Sequence, residues 1–207
     1  RAVHDNNLIF LSAQPDTTYF HWQVKVYLHN FSKFGIADQC HVLFAISGDQ
    51  PSVVIKELAN RYHVHWYKDD RTSEQKSYIP SVCQMLYKKF FQEFPELGKN
   101  VFIHDSDIIF RELPPFETML NGDVAYLSDT VSYIGYDYLV DCSNRYKKKY
   151  QDLPDRDLVK EMCNLINIDE DLVKKNQNNS GGAQYLLKNM DYELCLAMEK
   201  STHLFHN

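Results

Sequence analysis

The sequence predicts an α/β protein with a mostly parallel central sheet and helices on both faces of that sheet. Short apolar runs alternate with longer segments of helical periodicity over the first half of the chain, which favours this fold. Of the 207 residues, 44% are hydrophobic and 24% are charged, as in ordinary globular domains. A chain of this length buries a substantial core without a disulfide or a structural metal.

The first strand and the first helix are predicted within residues 8–31. Residues 8–11 are a short apolar run between polar residues, which is typical of a buried parallel strand. The turn-rich segment 12–18 follows and can cap a helix. The apolar positions of that helix fall on one face, and they are Phe20, Val24, Leu28 and Phe31.

The alternation continues through three further strands, predicted at residues 41–46, 64–67 and 100–104. Pro51 opens a short helix after the second strand. The clearest helix is predicted at residues 77–94, because Pro80 fits its first turn and Pro95 ends it. The apolar stripe of this helix consists of Ile79, Val82, Leu86 and Phe90.

After the fourth strand, the regular alternation of strands and helices ends. Short strands are predicted at residues 108–110 and 124–127, and a helix is predicted at residues 158–166. Residues 133–150 are polar and aromatic without a clean period, so no element is assigned to them. The segment 180–182, Ser-Gly-Gly, is predicted to open a last helical stretch.

Charge, hydropathy and cysteine spacing exclude several classes of protein. The net charge of −6 argues against a duplex nucleic acid partner, because phosphate binding needs a basic face. No apolar stretch reaches the roughly 18 residues that a membrane span needs. Five widely spaced cysteines are typical of free thiols in a reducing compartment, so we expect a cytoplasmic protein. The chain begins with Arg rather than Met, so we expect it to be part of a longer protein.

Two aspartates after the fourth strand are the strongest candidates for chemistry. The chain has three Asp-x-Asp pairs, where its composition predicts about 1.5 by chance. Only Asp105 and Asp107 lie between two apolar runs, whereas the pairs at 155–157 and 169–171 lie in polar sequence, where Asp caps helices or is solvated. Two like charges held close together are costly unless a cation lies between them. The pair therefore predicts a site for Mn²⁺ or Mg²⁺, which prefer oxygen ligands.

The order of apolar strand, Asp105-Ser106-Asp107 and second apolar run resembles the DxD motif of GT-A glycosyltransferases. The βα array before the motif and the small-residue segment 179–184 after it are similar to that family too. As a whole, residues 8–206 resemble the small soluble glycosyltransferase domains that chloroviruses, the large DNA viruses of green algae, encode.

This resemblance implies a single GT-A-type, Rossmann-like domain over residues 1–207. Residues 1–107 would then be its nucleotide-sugar-binding half and residues 108–207 its acceptor half. The implied reaction moves a sugar from a UDP-sugar to a hydroxyl of a glycan or glycoprotein, with retention of configuration. The implied location is the cytoplasm of an infected host cell.

The resemblance also assigns the metal ligands. In that family the DxD carboxylates hold Mn²⁺ or Mg²⁺, which grips the diphosphate of the nucleotide sugar. Asp107 is then the direct ligand, and Asp105 contacts ribose as well as the metal. A histidine near the C-terminal end often completes the metal shell, and His203 and His206 are both candidates for it.

The remaining site residues follow from the implied fold, because ligands of open α/β sheets collect at the carboxyl ends of strands. The residues expected to bind the nucleotide sugar are Ser12, Ala13, Gln14, Asp69, Asp70, Arg71, Lys76 and Ser106. Ser180, Gly181 and Gly182 are expected to let the backbone approach the ligand, with a helix N-terminus behind them. Asp129 and Asp191 are candidate catalytic carboxylates, and Gln184 is a candidate for orienting the sugar.

Two other functions stay open. A haloacid-dehalogenase-like, Mg²⁺-dependent phosphatase also carries an Asp-x-Asp after an apolar strand, but its motif lies on the first strand. A Gly also continues that motif where this chain has Ile108. A non-catalytic nucleotide- or sugar-binding module would bind its ligand without metal and without turnover.

Overall fold

A computed structural model describes residues 7–151 and 156–206 of the chain, with the backbone alone at residues 205 and 206. Within this part, six strands form one sheet: β1 (Leu8–Pro15), β2 (Cys40–Ile46), β3 (His63–Lys68), β4 (Asn100–Ile103), β5 (Tyr126–Leu127) and β6 (Tyr185–Lys188). The strand order across the sheet is β3-β2-β1-β4-β6-β5. Strands β1 to β4 are mutually parallel, whereas β6 runs antiparallel to both of its neighbours.

Ten α-helices surround the sheet in the same part of the chain: α1 (Thr18–Lys33), α2 (Val53–Ala59), α3 (Ser73–Ser77), α4 (Ser81–Glu93), α5 (Phe116–Met119), α6 (Val131–Ile134), α7 (Tyr136–Lys149), α8 (Leu158–Leu165), α9 (Glu170–Lys175) and α10 (Tyr192–His206). The predicted fold class, α/β with a mostly parallel sheet, is therefore confirmed. None of the helices in the described residues is long and apolar enough to cross a membrane.

The sheet has a hydrophobic core on each face because successive side chains of a strand point to opposite sides. On one face Phe10 of β1 packs among residues of α1 and α2, such as Phe31 and Ile55. On the other face Leu11 packs among residues of α4 and α10, such as Phe90 and Cys195. Burial on both faces explains why these strands are continuous apolar runs in the sequence.

Two boundaries differ from the sequence prediction in ways that affect the site. Strand β1 continues past residue 11 to Pro15, because residues 12–15 keep pairing with β2. Helix α4 begins at Ser81 rather than at residue 77, so Ile79 is exposed in the preceding loop instead of lying in the helical stripe.

Residues 108–110 are not a strand, contrary to the sequence prediction. Both backbone hydrogen-bonding groups of Phe110 bond to one side chain, that of Asn30, and not to a neighbouring strand. Its N–H donates to Asn30 Oδ1 at 2.8 Å, and its carbonyl accepts from Asn30 Nδ2 at 3.0 Å. Ile108 and Phe110 pack against the hydrophobic core that contains the α1 residues, and Ile109 is exposed.

The C-terminal third contains the largest differences. Residues 180–182 precede strand β6, not a helix, so that prediction is wrong. Residues 133–150, unassigned from sequence, contain the second half of α6 and all of α7. Asp157 and Asp169 cap α8 and α9 by accepting hydrogen bonds from backbone N–H groups, as expected for aspartates in polar sequence. Residue 155 lies outside the described residues.

Candidate functional site

The turn Asp105-Ser106-Asp107 lies where β1 to β4 end, at what we call the C-terminal edge of the sheet. The chain leaves the sheet only at this turn, because His104 N–H still donates to the Leu11 carbonyl at 3.0 Å. Ser106 is buried and donates its hydroxyl to Gln23 Oε1 of α1 at 2.5 Å, while both aspartates are exposed. Ser106 thus anchors the turn instead of facing a ligand as predicted, and the turn presents two carboxylates to solvent.

His104 supports the turn from its buried side. Its ring is buried beside Tyr27 and Phe102, with a ring-centroid distance of 5.0 Å to Tyr27. Burial lowers the pKa of His104 to about 4, so the ring is neutral at physiological pH. Its Nδ1 lies 2.8 Å from the carbonyl oxygen of Asp105, which fixes Nδ1 as the protonated nitrogen. This role is not predictable from the sequence, because a single His at the end of a strand has no characteristic pattern.

The two carboxylates carry uncompensated negative charge. Asp105 is exposed as a residue, but partial desolvation of its carboxyl group, and then the charge of Asp107, raise its pKa above the ordinary value. No Lys, Arg or His of the described residues forms an ion pair with either aspartate. A pair of oxygen ligands without a protein counter-ion fits a hard divalent cation that keeps open coordination positions.

The third metal ligand, a histidine near the C-terminal end, stays a prediction. In residues 7–151 and 156–206, no three His, Cys, Asp or Glu side chains are placed together so that they could hold a metal ion. His203 lies on α10, where its Nε2 is buried without a hydrogen-bond partner. The side chain of His206 lies outside the described residues.

Two cavities open beside the turn, and Asp107 lines both of them. The β1-side cavity, of about 210 Å³, lies between β1, α1 and the start of α4; its lining includes Ala13, Tyr19, Gln23, Ile79, Cys83 and Asp105. The β6-side cavity, of about 570 Å³, lies over the second half of the chain; its lining includes Ile108, Ile109, Phe110, Met119, Leu127, Ser128, Gln184 and Leu186. Asp107 therefore stands at the boundary between a site built by the first half and a site built by the second.

Of the three residues predicted to face the nucleotide after the first strand, only Ala13 lines the β1-side cavity. Ser12 and Gln14 are buried within the extended β1. The Ser12 hydroxyl lies 2.7 Å from the hydroxyl of Tyr27, and Gln14 Nε2 donates to the Leu43 carbonyl at 2.7 Å. Both side chains therefore bond within the sheet and neither lines the β1-side cavity, so their contact with a nucleotide stays a prediction.

Arg71, predicted to contact the base or a phosphate, is an internal clamp. Its guanidinium donates to both carboxylate oxygens of Asp69 at 2.9 and 3.0 Å and to Ser81 Oγ at 2.7 Å, and its side chain is only 6% exposed. These bonds attach the loop that contains Ile79 to the start of α4. Arg71 and Asp69 thus shape the cavity without reaching into it.

The two other charged residues of this region are placed differently. Asp70 forms an ion pair with Lys89 at 2.7 Å, on the α4 side of the loop. Lys76 donates to the Asp69 carbonyl at 3.2 Å and remains partly exposed. Contact of Lys76 with a phosphate stays a prediction.

Among the predicted catalytic residues, Gln184 lines the β6-side cavity and Asp191 is far from it. The main chains of Gln184 and Ser128 bond to each other across β5 and β6, with Ser128 N–H donating at 3.0 Å. Asp129 is exposed next to Ser128, so its catalytic role stays a prediction.

Asp191 accepts from Leu194 N–H at 2.8 Å at the start of α10. It lies beside the beginning of β4 and so at the opposite edge of the sheet. This position does not fit a catalytic role.

The glycines of the segment 180–182 serve packing between chain segments, not the approach of a ligand. A Cβ atom at Gly181 would lie 2.5 Å from Leu127 Cβ and 2.5 Å from the Ser128 carbonyl oxygen. A Cβ atom at Gly182 would lie 2.8 Å from Ile134 Cδ1. The helix N-terminus expected behind them is absent there, because the described segment continues into β6.

Several residues of the β1-side cavity were not identified from sequence, namely Tyr19, Gln23, Ile79 and Cys83. Tyr19 and Gln23 are four residues apart on α1 and therefore share a face, which is a signal the sequence does contain. Ile79 lies in the loop that Arg71 bonds to, and Cys83 lies in the first turn of α4, so their position at the cavity depends on tertiary packing that has no local signature.

No protein-family model and no curated protein matches the chain. Among solved structures, the chain is similar to Core-mannan synthase A (CmsA/Ktr4) from Aspergillus fumigatus in its Mn/GDP form. The similarity has a TM-score of 0.40 and 8% sequence identity, and it covers 100% of this chain and 68% of that one.

Proposed function

We propose that the chain is a metal-dependent glycosyltransferase that moves a sugar from a UDP-sugar to a hydroxyl group of an acceptor. The observation that carries this proposal is that Asp107 lines both the β1-side and the β6-side cavity. A group-transfer enzyme must bring two substrates together at one point. Two adjoining cavities that meet at a carboxylate pair provide such a point.

The β1-side cavity suits the nucleoside of the donor. Tyr19 and Ile79 offer apolar surface for a base, and Ala13 leaves room close to the main chain of β1. The diphosphate would then lie over Asp105 and Asp107, which would hold Mn²⁺ or Mg²⁺ between themselves and the phosphate oxygens. The ion, when bound, supplies positive charge that offsets the negative charge of the departing diphosphate.

The β6-side cavity suits the acceptor. The acceptor oxygen would form a bond to the anomeric carbon while the bond from that carbon to the phosphate oxygen breaks. Asp107 is the one carboxylate among the described residues that line this cavity, so a dedicated base for the hydroxyl proton is missing there. Transfer of that proton to the leaving phosphate on the same face of the sugar supports retention of configuration, with Gln184 orienting the sugar.

Binding calorimetry tests this proposal. UDP and GDP are titrated with and without Mn²⁺ into the unsubstituted chain, into Asp107→Asn and into Asp171→Asn, a control at an exposed aspartate that lines neither cavity. We expect Mn²⁺ to tighten UDP binding by about tenfold or more, and we expect Asp107→Asn alone to abolish that gain.

Three results would contradict the proposal. UDP binding that ignores both Mn²⁺ and the Asp107 substitution would remove the metal role. Hydrolysis of p-nitrophenyl phosphate without any nucleotide binding would favour the phosphatase. Metal-independent UDP binding without turnover of any of a panel of UDP-sugars would indicate a non-catalytic module.

A further inference from the structure

The β6-side cavity has the composition of a site for an apolar ligand with one polar end. Its volume of about 570 Å³ lies within the range of small-molecule sites, which are typically apolar with a few placed polar groups. Its walls come from apolar side chains such as Phe110, Met119 and Leu186. Its polar side chains include Asp107, Ser128 and Gln184. A free oligosaccharide, which needs hydrogen-bond partners on all sides, finds few of them here.

The rim of this cavity is apolar as well. Ile109 is 60% exposed and Leu127 is 40% exposed, and both line the opening. Single exposed apolar side chains are common on protein surfaces. Here, however, two exposed apolar side chains lie on the rim of the same apolar cavity. They enlarge the apolar surface that a bound apolar ligand would remove from water.

Gln184 is placed to recognise the polar part of such a ligand. Its main chain is fixed by Ser128, whereas its side-chain amide makes no hydrogen bond to the described residues. The preceding residue, Ala183, has a φ of 64°, a left-handed conformation that is unfavourable for a residue with a Cβ. Backbone strain of this kind persists where the surrounding structure imposes it, often beside a ligand.

We infer that the acceptor is an alcohol with an apolar body, of the alkyl or aryl glycoside class. Its apolar body fills the β6-side cavity and its hydroxyl group lies at the Asp107 and Gln184 end. This inference rests on the proposed function. In the reaction, the acceptor loses its hydroxyl proton and gains the glycosyl group, and the nucleoside diphosphate leaves with the electron pair of the broken carbon–oxygen bond.

Calorimetry with octyl β-glucoside and methyl β-glucoside, both kept below the micelle concentration, tests the inference. Two variants, Ile109→Ser and Leu127→Ser, make the rim polar at exposed positions. Ile168→Ser is the matched control, because Ile168 is 41% exposed and does not line the cavity. We expect the octyl glycoside to bind about tenfold or more tightly than the methyl glycoside, since its chain buries additional CH₂ groups. Each rim variant should weaken octyl binding about fivefold or more, and the control should not.

The inference is overturned if the two glycosides bind equally, or if octyl binding ignores both rim variants. It is also overturned if the unliganded chain dimerises in sedimentation experiments and Ile109→Ser abolishes the dimer, because a second copy would then cover the cavity. UDP binding with Mn²⁺, measured in parallel on the unsubstituted chain, separates the two failures. If UDP fails to bind while the octyl glycoside still binds, the proposed function falls and the acceptor assignment falls with it.

Discussion

At the scale of single residues, the clearest energetic feature is the buried Arg71–Asp69 pair. Burial alone would raise the pKa of Asp69, but the hydrogen bonds and charge of Arg71 hold that pKa below its usual value. The planar guanidinium makes two bonds to one carboxylate and a third to Ser81, a geometry that an ammonium group cannot reproduce. The clamp therefore depends on arginine and not merely on positive charge.

Arg71→Lys should lower the free energy of unfolding by roughly 2 kcal/mol, since a buried pair loses most of its bonds. Arg145→Lys is the matched control, because Arg145 pairs with Asp141 at 3.0 Å on the exposed surface of α7, where no measurable loss is expected. Denaturant unfolding followed by circular dichroism measures both variants. Equal losses in the two variants would mean that the clamp adds nothing beyond a surface ion pair.

At the scale of elements, the sequence indicates those whose pattern is local and misses those fixed by distant partners. Strands β1, β2 and β4 are recognisable because burial on both faces makes them apolar runs, whereas the edge strand β3 buries only Val64. Strand β6 is four residues long, too short to show a period, and its identity depends on pairing with β4, where Tyr185 opposes Ile103. Helix α7 escapes detection because Ser143 is its one buried residue, so no apolar stripe marks its length.

The same contrast holds for the site. Asp105 and Asp107 are predictable because they directly follow a strand whose end is visible in the sequence. The cavities on either side need the packing of α1, the clamped loop and β6, which no short pattern encodes. The burial of Ser12 and Gln14 could not be predicted for the same reason, since it depends on the additional residues of β1 that pair with β2.

Gly181→Ala tests whether the contact between β5 and the segment before β6 needs a glycine. A Cβ atom there would meet Leu127 and Ser128 at 2.5 Å, so the strands must move apart, at a cost of about 1–3 kcal/mol in unfolding free energy. In the control Gly48→Ala the nearest atom lies 3.9 Å away, so we expect a change below about 1 kcal/mol. Thermal unfolding compares the two variants. Equal melting temperatures would show that the segment adjusts at no cost.

At the scale of the whole molecule, we expect stability to depend on pH through a group of histidines next to α4, of which His41 and His65 are partly buried and His63 is exposed. His41 of β2 stacks between His63 and His65 of β3, with ring-centroid distances of 5.0 and 5.3 Å. Its Nδ1 lies 3.1 Å from Nε2 of His65, and Phe90 of α4 covers the rings. Burial, and then the charges of His65 and His63, lower the pKa of His41 to about 3.

The unfolded chain binds a proton at His41 near pH 6.5, whereas the folded chain binds it only near pH 3. The unfolded state therefore holds more protons between these values, so the stabilisation present above pH 6.5 is lost as the pH falls. From pH 7.5 to pH 5 this group alone should lower the unfolding free energy by roughly 2 kcal/mol. His41→Gln should remove that share of the loss in urea titrations at the two pH values. His29→Gln, on the exposed surface of α1, should lose as much unfolding free energy between the two pH values as the unsubstituted chain. If both variants lose as much stability as the unsubstituted chain, the histidine stack is not the acid-sensitive element of the fold.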